Sequence, residues 1–183
     1  MTDSNQDTLP LRHPIRVESI TLRPVPVEIA AEQGDLPGIA SFLGVASVET
    51  LKASYSLSRN GERVKLEGMI KASLHQTCVV TLDLFPVELN VPVKLDFAPE
   101  AEIAAMAKPS EDDEIDIEVL LNEEEPPEAI VDGMIDLGTV TLEFLALSLD
   151  PYPRKPGVEF SEPAPETPAE SPFAALLQLK RSE

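Results

Sequence analysis

The chain of 183 residues holds one cysteine, no tryptophan, two histidines and eight glycines. A lone Cys78 excludes an internal disulfide and any zinc site built from several thiolates, and His13 and His75 stand far apart. The sequence therefore predicts no metal and no cofactor. Basic residues are scarce as well: 14 Lys and Arg face 33 Asp and Glu, giving a formal net charge of −19. A field of that sign repels polyanions and disfavours nucleic-acid binding through bulk charge. No stretch approaches the roughly 20 apolar residues of a membrane span, and the first seven residues have neither the basic flank nor the apolar run of a secretory signal. The expectation is a cytoplasmic protein without membrane contact.

Catalytic signatures are missing too. There is no glycine-rich phosphate loop, no nucleophile elbow and no His-x-x-x-His pair. Carboxylates abound, but nothing near them signals the burial that would raise one for acid work. By parity Cys78 falls among the apolar residues of a strand, where it reads as an inert small hydrophobe. No residue is assigned as catalytic.

With 43% apolar residues the chain can build one core. From Thr50 to Ser58, polar residues alternate with Leu51, Ala53, Tyr55 and Leu57, the period of a half-buried strand. Asn60-Gly61 is a hairpin signal, and Val64, Leu66, Gly68, Ile70, Ala72 and Leu74 follow on the same period. With Asn60 and Gly61 as the loop, Leu57 should face Val64, Tyr55 face Leu66 and Leu51 face Ile70. The opposite face then carries Lys52, Arg63, Lys65 and Lys71, a solvated surface and a candidate RNA-facing or polar patch.

The alternation continues through Cys78, Val80, Leu82 and Leu84, breaks at Phe85-Pro86 and resumes from Val87 to Phe97, where Pro92 requires an edge strand or a proline nitrogen that faces outward. Upstream, Asp35-Leu36-Pro37 opens a short helix in which Ile39, Phe42 and Leu43 share a face before Gly44. Downstream, Asp136 can cap a buried helix carrying Leu137, Val140, Phe144 and Leu145, although alternation from Val140 to Ala146 also fits a strand.

The predicted fold is α+β: an antiparallel sheet of four or more strands, a short helix on the N-terminal side and a buried helix on the C-terminal side. Residues 1–10 read as a flexible N-terminus, 11–155 as one domain with an acidic mobile loop over about 100–128, and 156–183 as a disordered tail. Many of the 18 prolines lie in that tail. It ends in an apolar cluster in which Phe173, Leu176, Leu177 and Lys180 share one helical face, the spacing of a segment that docks into a groove on a partner or on its own domain. A monomer is expected.

Three motifs then coincide. They are Gln76-Thr77-Cys78-Val79-Val80-Thr81-Leu82-Asp83, the stretch Ile135-Asp136-Leu137-Gly138 leading into Leu147-Ser148-Leu149-Asp150-Pro151-Tyr152-Pro153-Arg154, and the terminal Pro172 to Lys180. In this order and spacing they resemble the YceD-like family, described as the large ribosomal RNA subunit accumulation protein, in a form like that of its alphaproteobacterial branch. The resemblance spans about Arg16 to Lys180. It implies a bacterial cytoplasmic, non-catalytic factor in ribosome biogenesis that supports 23S ribosomal RNA accumulation or processing, without a cofactor. Its partner would be a ribosomal precursor, a ribosomal protein or an RNA-processing factor, and direct RNA contact stays open. Many members carry Cys-x-x-Cys where this chain has Cys78-Val79-Val80-Thr81, which puts any metal or redox role of those relatives in doubt here. The alternative reading is an acidic adaptor that mimics nucleic acid, binds a basic protein surface and never touches RNA.

Overall fold

The structure, a computed structural model, describes residues 9–106 and 126–159. Its centre is a five-stranded sheet of β2 (Val25–Ala30), β3 (Ser47–Asn60), β4 (Arg63–Thr77), β5 (Leu84–Pro99) and β6 (Glu128–Ile130), in that spatial order. The first four are mutually antiparallel and β6 joins β5 in parallel. β1 (Pro14–Arg16) and β7 (Met134–Asp136) pair as a separate ribbon. Among the described residues three α-helices accompany the strands: α1 (Leu36–Leu43), α2 (Glu100–Met106) and α3 (Leu137–Leu147).

Alternation decides which face is covered. Odd positions of β3 and even positions of β4 carry Leu51, Ala53, Tyr55, Leu57, Val64, Leu66, Ile70, Ala72 and Leu74, all buried. The alternate positions, including Lys52, Ser54, Lys65 and Lys71, face solvent. Glu49 is a bulge: the register shifts between Val48 and Thr50, which brings even-numbered Val48 into the core beside odd-numbered Leu51.

The hairpin forms, but one residue later than expected. Asn60 pairs with Arg63, so the loop is Gly61-Glu62 and Leu57 faces Leu66 rather than Val64, Tyr55 faces Gly68, and Leu51 faces Ala72. Gly61 has φ +65° and Glu62 is not at positive φ, the pattern of a turn with glycine first (type II′) rather than the Asn-Gly turn anticipated. The shift moves the pairing by two residues, so every side chain keeps its face and the core is the expected one.

The run from Cys78 to Leu84 is not a continuing strand. β4 reaches Thr77, and Cys78 to Asp83 form a tight connection closed by an N–H of Leu82 donating to the Cys78 carbonyl at 2.9 Å. Among the described residues β5 has no partner on its outer side until residue 97, which leaves Pro92 on that edge. The stretch expected as an acidic loop opens with α2, whose Glu100 and Glu102 suit a helix N-terminus, and closes with β6; residues 107–125 lie outside the described residues.

α1 and α3 cover the inner face. In α1 the buried stripe is Ile39 and Ala40 with Leu43 beside them, whereas Phe42, expected inside, falls off that stripe and is 47% exposed. α3 begins as anticipated: the Asp136 carboxylate accepts from Gly138 N at 3.0 Å and also from His13 N at 2.7 Å, tying the N-terminal segment to the helix start. A side chain at Gly138 would collide with the Leu11 carbonyl, so this approach requires glycine. Leu137, Thr141, Leu142 and Leu145 are fully buried. Leu9 and Leu11 pack on the same core; residues 1–8 and 160–183 lie outside the described residues.

Candidate functional site

At one end of the sheet the β4–β5 connection meets the segment that follows α3. Val79 N donates to the Pro153 carbonyl at 2.9 Å, and Gln76 Nε2 donates to the Asp150 carbonyl at 3.3 Å. Lys155 Nζ reaches Asp83 Oδ2 at 3.4 Å across the outside, an exposed pair that by itself contributes at most ~1 kcal/mol. Inside each loop, Cys78 N donates to the Asp83 carbonyl at 2.9 Å and Tyr152 N to Asp150 Oδ1 at 2.8 Å. Cys78, Thr81, Leu82, Asp83 and Pro151 to Arg154, two motifs about 70 residues apart in the sequence, thus form one two-loop clamp.

Cys78 occupies its middle. The thiol is covered, yet it stands apart from the hydrophobic core that the strands share, beneath the two loops. The backbone N–H of Lys155, then the hydroxyl and N–H of Thr81, favour the charged form and outweigh burial, lowering the thiol from its usual range to about 6. Cys78 is thus buried, as expected, with polar neighbours that favour its ionised form. A nucleophile needs an open path for its substrate and this sulfur has none, so the arrangement serves to knit the loops together.

The clamp presents apolar side chains outward. Val79, Leu82, Leu84 and Tyr152 are all exposed, Leu82 at 76% and Tyr152 at 72%. Leu147, at the end of the helix that leads into the clamp, is also exposed. Leu82 moreover sits at φ +62°, a left-handed conformation that costs a non-glycine residue roughly 1–2 kcal/mol. Leu82 is thus both strained and exposed, on a loop pinned from two sides. Arg154 adds positive charge beside it, whereas the charge of Lys155 is offset by Asp83.

The profile of the YceD family, the large ribosomal RNA subunit accumulation protein, matches residues 66–180. The chain belongs to this family. The match takes in both loops of the clamp and continues through the terminal Phe173 to Lys180. Membership carries a role in ribosome biogenesis, in the accumulation of large-subunit ribosomal RNA. No curated protein and no solved structure matches the chain. Among the described residues no helix is long and apolar enough to cross a membrane, and no group of three metal-ligating side chains occurs.

Two of the four cations of the basic face have acidic partners. Lys52 and Lys71 lie directly opposite each other on the solvent side of β3 and β4. Toward the other end, Arg63 Nε donates to Glu102 Oε1 at 2.8 Å, and Lys65 Nζ lies 2.9 Å from Glu67 Oε1 with Asp96 as its cross-strand neighbour. Acidic neighbours from α2 and β5 thus offset half of the expected charge. Phe173, Leu176, Leu177 and Lys180 fall outside the described residues.

Sequence reading missed Val79 and Leu84 as surface residues. The signal was present: apolar positions in β4 are even-numbered, whereas from Phe85 onward they are odd-numbered, and this change of parity turns Leu84 outward. It also missed the turn between β6 and β7, where Asp132 (φ +51°) and Gly133 (φ +69°) form the Asp-Gly turn that such a dipeptide announces.

Proposed function

We propose that this protein is a non-catalytic assembly factor that supports 23S ribosomal RNA accumulation by binding a large-subunit precursor particle through the outward face of the clamp. The observation that carries this reading is the concentration of exposed Leu82, Leu84, Val79 and Tyr152 on two loops fixed to each other, within the stretch the family shares. Burying one such side chain contributes roughly 1.5–3 kcal/mol, so two or three of them support a reversible complex after the cost of association. Arg154 beside them suits a ribonucleoprotein surface. Phe173, Leu176, Leu177 and Lys180 are a second proposed contact, and Lys52 with Lys71 a minor one.

The test is a strain whose only copy carries Tyr152→Ala together with Leu84→Ser, compared with one carrying Glu88→Gln on the far sheet face. A fall in the 23S to 16S ribosomal RNA ratio in the first strain alone, at equal protein level, supports the reading. Equal ratios in both strains contradict it.

A further inference from the structure

A second feature lies at the opposite end of α3, away from the clamp. A groove of about 280 Å³ runs between β5, the β6–β7 turn and the first half of α3. Its floor is apolar, formed by buried Phe97, Ile135 and Val140 with half-buried Leu95 and Phe144. Val131 and Met134 rise at its rim, 46% and 42% exposed. The volume sits at the low end of small-molecule pockets, about 300–1,000 Å³, and suits a side chain or two of a peptide rather than a cofactor.

Its charge is one-sided. Glu128 on β6, Asp132 in the turn and Glu143 on α3 line the groove, and none of the three has an ion-pair partner among the described residues. Arg12, the one cation at the groove among the described residues, bonds to Asp136 at 3.3 Å. Glu143 is held above the usual carboxylate range by partial burial and by the charge of Glu128, which shows that the two carboxylates feel each other. RNA phosphates would meet three like charges here. A positive group would meet three unneutralised carboxylates around an apolar floor.

The geometry points to this groove as the docking site for a basic protein segment in which a large apolar side chain is flanked by Lys or Arg. The apolar side chain enters between Phe97, Val140 and Phe144, and the flanking cations reach Glu128, Asp132 and Glu143. Proteins that assemble on RNA carry such cations to neutralise phosphate. The groove would hold such a segment while it is off the RNA, an inference that rests on the assembly-factor reading above and names a partner class for it.

The experiment uses the full chain and fluorescence anisotropy with four labelled probes: a ten-residue peptide of Lys and Arg around a central Leu-Phe pair, an all-lysine peptide of equal charge, a single-stranded RNA, and a peptide copying residues 172–183. The expected result is preference for the mixed peptide, weakened about fivefold or more in Glu128→Gln/Glu143→Gln and unchanged in Glu49→Gln/Glu88→Gln, whose carboxylates lie on the sheet. Phe144→Ala should weaken it as well, with folding confirmed by circular dichroism. Equal loss in both glutamine pairs, equal binding of all-lysine peptide, or preference for RNA overturns the proposal. Tighter binding of the 172–183 peptide assigns the groove to the chain's own tail and also overturns it. None of these outcomes alters the 23S ratio expected for the clamp variants, so the two readings fail separately.

Discussion

The phenol of Tyr55 on β3 and the hydroxyl of Thr141 on α3 lie 2.7 Å apart in the core. Thr141 has a single hydroxyl hydrogen and donates it to the Leu137 carbonyl at 2.6 Å, so Tyr55 is the donor between the two. Gly68, directly across from Tyr55, makes room for the ring, because a Cβ there would strike the Tyr55 ring and the Ser54 carbonyl. One hydrogen-bonded relay thus fixes the helix that leads into the clamp onto the sheet.

The two ends of that relay should differ in cost. Tyr55→Phe leaves Thr141 bonded to Leu137 and should lose about 0.5–1.5 kcal/mol, whereas Thr141→Val strands a buried phenol and should lose about 1–3 kcal/mol. Urea denaturation measures both, and a larger loss for Tyr55→Phe would contradict the assignment. Burial raises the Tyr55 ionisation above its ordinary ~10. The protonated form is the folded one, so its stability is complete below ~10 and declines as pH climbs through the raised value. Tyr55→Phe should flatten that alkaline decline.

The single thiol offers an independent check of the clamp. Thiolate absorbance near 240 nm should titrate with a midpoint of about 6 and vanish in Cys78→Ser. The folded value is depressed, so the thiolate's contribution to stability is in place above the ordinary thiol value of ~8.5 and is lost as pH falls through about 6. Thr81→Val, which removes a hydroxyl donor, should move the midpoint upward. A wild-type midpoint of 8 or more would contradict the influence of Lys155 and Thr81 on the sulfur.

Much of this architecture was legible in the residues. Alternation from Leu51 to Leu74 named the covered face, and Asp136 named the start of α3, because a period of two and a capping carboxylate are local signals. The pairing of Leu57 with Leu66 was not legible: Asn60-Gly61 and Gly61-Glu62 both make acceptable turns, and only packing chooses between them. The clamp was visible as two motifs but not as one object, since its hydrogen bond from Val79 to Pro153 joins residues that no local pattern relates. The groove draws Glu128, Asp132 and Glu143 from three elements, and in the sequence they are three acids among 33.

The terminal segment gives a prediction of its own. Deleting residues 171–183 should leave the melting temperature unchanged while lowering association with large-subunit precursors. A loss of several degrees with association intact would instead place Phe173, Leu176 and Leu177 on the protein's own core.

The most direct measurement concerns Leu82, where stability and binding should move apart. Asparagine tolerates the left-handed conformation better than leucine, so Leu82→Asn should keep or raise stability, by up to ~1 kcal/mol, while removing the most exposed apolar side chain of the clamp. Sucrose-gradient sedimentation of the purified chain with large-subunit precursor particles tests the consequence. Wild-type protein should travel with the particles and Leu82→Asn should remain at the top of the gradient; a stable Leu82→Asn protein that sediments with the particles as fully as wild type would contradict the account.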